Sequence, residues 1–370
     1  SLIALALVGF ASTASAEWKY GIGSGLAGLA IKGDMSIGTQ TQFGTITIPV
    51  DLSASDIRDY TDSAIGFAGY ATDGNLFITY GYLNLNLVNN LNFGESFKLL
   101  YKSDENDQKT FETDVSLPYL FNTPIGADLL LRIFKRDTSF TTVNQSARLH
   151  YQINSKNKMY VGIVSTESNN LLNENINSII SDYKTQHYTI AYQYLKSQSN
   201  NILFPIKSKL YLEAGFGKKT TPTNSENQAQ YSIDALKIFL LNNKNSFFIK
   251  VNGSNLITDT YFENELLRFG GINSIRGFEE NSLFASLFGV INTEYRYQLN
   301  NSIYLHTIID AGYFENKITK SKEKLFGYGF GFGILTKAGL LRFNYANGKT
   351  ENTQFKLSNS KIHLSLTANF

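Results

Sequence analysis

The last ten residues, 361–370, alternate without a break. Ile362, Leu364, Leu366, Ala368 and Phe370 share one face, and His363, Ser365, Thr367 and Asn369 share the other. Successive side chains of a β-strand point to opposite sides, so this segment reads as a strand with one apolar and one polar face. The same period of two continues upstream. Leu341, Phe343 and Tyr345 alternate with Arg342, Asn344 and Ala346, and Phe326, Tyr328, Phe330 and Phe332 with Gly327, Gly329, Gly331 and Gly333. Ile303, Leu305, Thr307 and Ile309 alternate with Tyr304, His306 and Asp310. Ile291, Thr293, Tyr295 and Tyr297 alternate with Asn292, Glu294 and Arg296, and Phe247, Ile249 and Val251 with Phe248, Lys250 and Asn252. Further strands are predicted near 230–240, 208–217, 185–195, 158–165, 143–153, 127–136, 110–119, 93–102, 76–88 and 63–72, sixteen in all.

The connections alternate in length as well. Those at 88–92, 154–158, 241–246, 298–302 and 336–339 are short and polar, whereas 102–109, 165–184, 218–228, 252–283 and 314–324 are longer. One connection, 196–207, is long for the end of the molecule it belongs to. An even strand number, short turns at one end and longer loops at the other describe a bacterial outer-membrane barrel, apolar towards lipid and polar towards its lumen. A soluble sandwich also alternates, but it seldom leaves apolar residues on a closing edge strand. The expected fold is therefore all-β: a transmembrane antiparallel β-barrel over residues 61–370, with both termini periplasmic and Phe370 at the periplasmic rim.

Composition adds an export signal. Residues 1–16 form an uncharged apolar run that ends in Ala14-Ser15-Ala16, a signal-peptide pattern. No later run approaches the roughly 20 apolar residues that a membrane helix needs. The chain carries 22 Tyr, 27 Phe and 29 Gly, a usage suited to barrel strands. A net charge of +2 without a basic run argues against nucleic acid as a partner. With no Cys and 4 scattered His, neither a metal site nor a cofactor is expected. Residues 17–60 do not follow the barrel pattern. Segments 18–31 and 45–50 read as a further strand pair, extending the barrel to eighteen strands, or as an irregular lead-in. Segment 51–59 reads as a polar loop or as one helical turn capped by Ser53 or Ser55. The glycines at 21, 23 and 25 follow no strand and precede no helix, which makes a phosphate loop a poor reading.

The longest connection, an expected lumen loop over 253–283, contains Ile275-Arg276-Gly277-Phe278. Alternation places Glu294 and Asp310 on the lumen face of the next two strands, where a guanidinium inside the barrel needs carboxylates. Gly277 permits a tight turn beside the arginine, and Gly327, Gly329, Gly331 and Gly333 leave room on the following strand for a loop to pack against backbone. In these features the chain resembles the BamA-like superfamily of outer-membrane assembly and polypeptide-translocation barrels, the bacterial surface antigen type. That family carries a [V/I]RG[F/Y] motif in the loop at this place, an acidic residue on the following strand and Asp-x-Gly on the next. Glu294 and Asp310-Ala311-Gly312 stand at those places here. The resemblance runs from about Leu83 to Phe370, and the final alternation of Ile362, Leu364, Leu366 and Phe370 looks like the signal read when barrels are themselves inserted.

The resemblance implies a barrel that inserts outer-membrane proteins or translocates polypeptides. Its implied partners are outer-membrane lipid, unfolded outer-membrane or secreted polypeptide clients, and periplasmic accessory proteins. Family members usually carry periplasmic polypeptide-transport-associated domains, for which 17–60 is too short. A passive porin-like channel and a degenerate structural barrel therefore stand as alternatives. A hydrolase is not expected. His363 and Ser365 are two residues apart on one strand face, about 7 Å along the strand. His306 and Asp310 are farther apart still, and His150 and His187 have no evident partner.

Overall fold

The computed structural model describes residues 45–48, 65–72, 75–88, 93–103, 108–172, 179–198, 201, 203–279, 281–336, 339–353, 356 and 360–369. The expected signal peptide, segments 18–31 and 51–59, the glycines at 21–25 and Phe370 lie outside these residues. The strands are β1 (Thr45–Ile48), β2 (Ile65–Thr72), β3 (Asn75–Val88), β4 (Ser96–Ser103), β5 (Gln108–Leu117), β6 (Ile125–Arg136) and β7 (Phe140–Asn154). They continue as β8 (Asn157–Asn170), β9 (Tyr183–Ser197), β10 (Ile206–Thr220), β11 (Ser225–Leu240), β12 (Asn245–Ile257), β13 (Leu267–Phe269) and β14 (Leu283–Ala285). The last five are β15 (Leu287–Gln298), β16 (Ile303–Asn316), β17 (Ser321–Thr336), β18 (Gly339–Thr350) and β19 (Ser360–Asn369).

From β2 to β19 each strand pairs antiparallel with the next, except that β12 pairs directly with β15 across the small β13–β14 hairpin. That makes the sixteen-stranded meander of an outer-membrane barrel. β1 runs antiparallel to β19, from Thr45↔Asn369 to Ile48↔Leu366, and meets β3 at Thr45↔Asn86. Of the expected extra strand pair, residues 45–48 thus form a short strand at the junction between the two ends of the meander.

Burial is inverted relative to a soluble protein. On β9 the buried face carries Thr185, His187 and Thr189, while Tyr188 and Ile190 are 66% and 50% exposed. On β16, His306 and Asp310 are buried, and Leu305 and Ile309 face outward. In water such an arrangement exposes apolar area and buries polar groups, both unfavourable; with lipid outside and a polar lumen within, it is the stable one. Pairing of β3 to β12 and of β15 to β19 on both sides also meets the demand of lipid that backbone groups be satisfied internally. No helix among the described residues is long and apolar enough to cross a membrane.

Several strands outrun their sequence-predicted ends. The expected loops 218–228 and 314–324 shrink to tight turns at 221–224 and 317–320, because β10–β11 and β16–β17 pair as far as Thr220↔Ser225 and Asn316↔Ser321. The expected loop start at 253 moves to 258, since β12 continues to Ile257. Beyond the membrane the ladder needs no apolar alternation, and polar cross-strand pairs such as Lys219↔Glu226 and Glu315↔Lys322 carry it on. The anomalous connection 196–207 shortens to 198–205, and among its described residues Leu203 and Phe204 are buried.

Candidate functional site: the loop between β12 and β15

The loop 258–286 is fastened at both of its ends. Its first part lies against the far strands β6–β11. The Lys219 ammonium, fully buried, meets Glu226 at 2.9 Å and Glu265 at 3.0 Å and donates to the Thr260 carbonyl at 2.6 Å. Glu226 also accepts from the Thr258 hydroxyl at 2.7 Å, and Arg136 pairs with Glu263 at 2.5 Å. Asn264 donates to the Ser168 hydroxyl and the Ser181 carbonyl, both at 2.8 Å. Arg268 stacks its guanidinium over Phe134, 4.1 Å from the ring centroid, and packs on Phe140 and Phe284. Burial, followed by repulsion from Arg136 and Arg132, lowers the Arg268 pKa to about 10, which still leaves it charged at neutral pH.

The second part carries the motif and lies on the near strands. Ile275 is wholly buried in an apolar cluster with Phe269, Ala285, Phe288, Val290, Phe314 and Leu325. Phe269 stacks flat on Phe288 at 4.5 Å. Arg276, only 4% exposed, reaches the buried faces of β15 and β16. Its backbone N–H, Nε and Nη2 donate to Asp310 at 3.0, 2.8 and 2.6 Å, and Nη1 donates to Glu294. The fork-shaped guanidinium thereby meets one carboxylate bidentately and a second end-on, an arrangement that lysine cannot copy. Two further bonds hold the approach to the motif: Lys250 donates to the Asn273 carbonyl at 2.7 Å, and Asn292 to the Ser274 carbonyl at 2.6 Å.

Gly277 has φ +90°, a backbone region costly for residues with a Cβ, and a Cβ there would strike the backbone of Asn347 and Gly348 on β18. Half-buried Phe278 packs against the same place, since a Cβ on Gly348 would meet its ring. Gly312 adjoins the Ile275 side chain. Of the four glycines expected to receive the loop, Gly327 touches the Arg276 carbonyl, but the other three have different nearest neighbours. Gly331 makes room for His306 and Asn344, Gly333 for the Tyr304 ring, and Gly329 adjoins backbone of β18. Register explains the difference. Tyr304 and His306 stand opposite Gly333 and Gly331, so the large inward residues of β16 fill the space first. For the C-terminal pattern, Ile362, Leu364 and Leu366 lie on β19, paired with Tyr345, Phe343 and Leu341 of β18.

Sequence reasoning missed four residues here. Arg296 donates to Glu294 through Nε at 2.7 Å; its place two residues along the same strand face was a usable signal. Gly348 had no marker beyond its own identity. Lys219 and Glu265 meet only through tertiary folding. His150, for which the sequence offered no partner, has one: Nδ1 lies 3.0 Å from Asp128. The Ser116 hydroxyl also binds Asp128, at 2.5 Å, and so is not poised on the imidazole as a nucleophile would be.

Comparison with known proteins agrees with the barrel fold. Searching curated proteins returned no match. Among solved structures the chain is similar to BamA from Haemophilus ducreyi lacking POTRA domains 1–3, with 15% identity, TM-score 0.58, and coverage of 88% of this chain and 75% of that one. It is also similar to CdiB from Acinetobacter baumannii, with 14% identity, TM-score 0.57, and coverage of 89% and 60%. CdiB from Escherichia coli gives 14% identity, TM-score 0.55, and coverage of 84% and 68%. At such identities the likeness is one of fold. The Omp85 superfamily domain matches residues 83–369, most of the chain, and the chain belongs to that superfamily.

Proposed function

We propose that this barrel inserts outer-membrane proteins or translocates polypeptides, and that the loop carrying Arg276 is folded into its lumen as a fixed internal brace. The observation that carries the reading is the buried Arg276 held by both Glu294 and Asp310. A loop fixed by buried ion pairs narrows a passage, and a barrel whose wall must part needs its remaining strands held together. Each residue of Ile275 to Phe278 rests on the strands β15 to β18, next to the terminal strand β19. On its other side β19 is met by the four residues of β1.

The mechanism is one of strand templating. An unpaired strand edge in lipid is costly, so a client strand that pairs with β19 replaces bonds lost when the short β1 contact opens. Outer-membrane lipid and unfolded polypeptide clients are the partners this requires, with periplasmic accessory proteins delivering the clients. Single-channel conductance of the refolded protein tests the reading. The expected wild-type signal is low and flickering, and it becomes larger or unstable in Arg276→Ala. A steady, large, ion-selective conductance indifferent to Arg276 would instead identify a porin.

A further inference from the structure

The connection 198–205 joins β9 to β10 at the end of the barrel opposite the loop 258–286. Its described residues bond to one another: the Gln198 N–H donates to the Pro205 carbonyl at 2.8 Å, the Gln198 side chain to the Phe204 carbonyl at 2.6 Å, and the Phe204 N–H to Asn201 at 3.1 Å. These bonds present Leu203 and Phe204, which are only 1% and 7% exposed. Both belong to a buried cluster with Ile238, Phe248, Tyr304 and Leu340, drawn from β11, β12, β16 and β18. The Phe204 and Tyr304 rings meet edge to face at 4.8 Å. Around the wall, β16 is four strands from β10, so this contact crosses the lumen rather than following it.

Phe204 is also bound to the motif site. The Arg296 guanidinium lies between two rings, 4.7 Å from the Phe204 centroid and 3.9 Å from that of Phe248. The same arginine donates to one oxygen of Glu294, whose other oxygen accepts from Arg276. One carboxylate is therefore shared between two arginines, one belonging to the loop from one end of the barrel and the other clasping the turn from the opposite end.

We infer that Leu203 and Phe204, at the end of the β9–β10 connection, form a second stopper of the lumen, and that Arg296 is the positioning residue that couples it, through Glu294, to the seated loop. Loss of the Arg276 contact leaves Glu294 to Arg296 alone, and the shift of that side chain removes the cation from the face of Phe204. Opening at one end then loosens the other. This goes beyond the proposed activity, requiring only the barrel and its seated loop and not any particular client.

The absence of native cysteine makes the test direct. Leu203→Cys is reacted with a polyethylene-glycol maleimide on the folded barrel in detergent, alongside Leu241→Cys in the neighbouring exposed turn as the reference. The stopper predicts that position 203 reacts at least about tenfold more slowly than position 241, and that adding Arg296→Ala or Arg276→Ala accelerates it roughly tenfold, as loss of a desolvated cation–π contact implies. Reaction at the reference rate would overturn the stopper. A slow rate unmoved by either arginine substitution would overturn the coupling. If an arginine variant fails to give the folded gel band, Phe204→Leu keeps the apolar bulk, removes the ring under Arg296 and must produce the same acceleration. Conductance of the wild type, the test of the proposed function, is read separately from these rates, so either idea fails without the other.

Discussion

Replacing Asp310 by Asn isolates the electrostatic part of the loop's attachment, since the side chain keeps its size and loses only its charge. In the native barrel Asp310, 1% exposed, accepts three bonds from Arg276. Asparagine retains one acceptor oxygen and turns an amide N–H₂ towards a group that itself only donates. Arg276 is left to share Glu294 with Arg296, giving two buried cations to one carboxylate. Breaking a buried ion pair by removing one partner costs about 3–5 kcal/mol. At about 1.4 kcal/mol per factor of ten, the population with the loop released rises roughly 10²- to 4 × 10³-fold.

Trypsin measures that population directly, because its target bond follows Arg276 itself. When opening and closing are fast compared with cleavage, the cleavage rate tracks the open fraction. Fragments ending at residue 276, identified by mass, are therefore expected to appear roughly 10²- to 4 × 10³-fold faster from Asp310→Asn than from wild type. Asp234→Asn provides the control: its pair with Lys209, at 2.9 Å, is partly exposed and outside the cluster. Partly exposed pairs contribute about 0–1 kcal/mol, so that variant stays within about fivefold of wild type. A rise of less than tenfold in Asp310→Asn would refute the reasoning and move the loop's attachment to its apolar contacts.

Four further substitutions probe other parts of the argument. Gly277→Ala and Gly348→Ala each force a Cβ into backbone, and the first also puts it at φ +90°; each is expected to cost at least about 1–2 kcal/mol and to raise the same tryptic cleavage tenfold or more. Lys219→Met strands Glu226 and Glu265 without their cation, lowering stability by about 3–5 kcal/mol in urea titrations followed by gel mobility, and adding Glu265→Gln recovers part of the loss. Ile309→Arg places a charge on an outward position of β16 that is 56% exposed, with an expected cost of about 2–4 kcal/mol in refolding from urea into lipid vesicles if the site lies near the bilayer midplane.

The strand order was legible because lipid imposes a period of two on everything that crosses it, and Phe326 to Phe332 or Ile303 to Ile309 show that period plainly. The strand ends were not legible, since above the membrane Lys218, Lys219 and Thr220 pair with Asn227, Glu226 and Ser225 without any apolar alternation. The Arg276 cluster was within reach because two features coincide: alternation fixes which face Glu294 and Asp310 present, and adjacency of β15 and β16 brings those faces together. Gly329, Gly331 and Gly333 were open to misreading because alternation gives the face but not the register. Only the pairing of Gly333 with Tyr304 and of Gly331 with His306 shows which group occupies the space. The docking of Glu263 to Glu265 against Arg136 and Lys219 joins residues far apart in the chain and carries no local period.

The two halves of the motif's attachment do different physical work. Apolar burial of Ile275 among Phe269, Phe288 and Phe314 is non-directional, and a loop held by it alone could slide along the wall at modest cost. A buried ion cluster adds little net stability over well-packed apolar groups, because desolvation opposes the attraction. What it adds is position. Arg276 is satisfied where the Asp310 and Glu294 oxygens stand, and one residue of slip would set Ile275 against two carboxylates. With Arg276 fixed, Gly277 lands on Gly348, where no side chain fits, and Phe278 beside it. The tetrapeptide thus spans from the buried carboxylates of β15 and β16 to the backbone of β18, and it keeps that part of the wall in register through contacts that do not depend on β19.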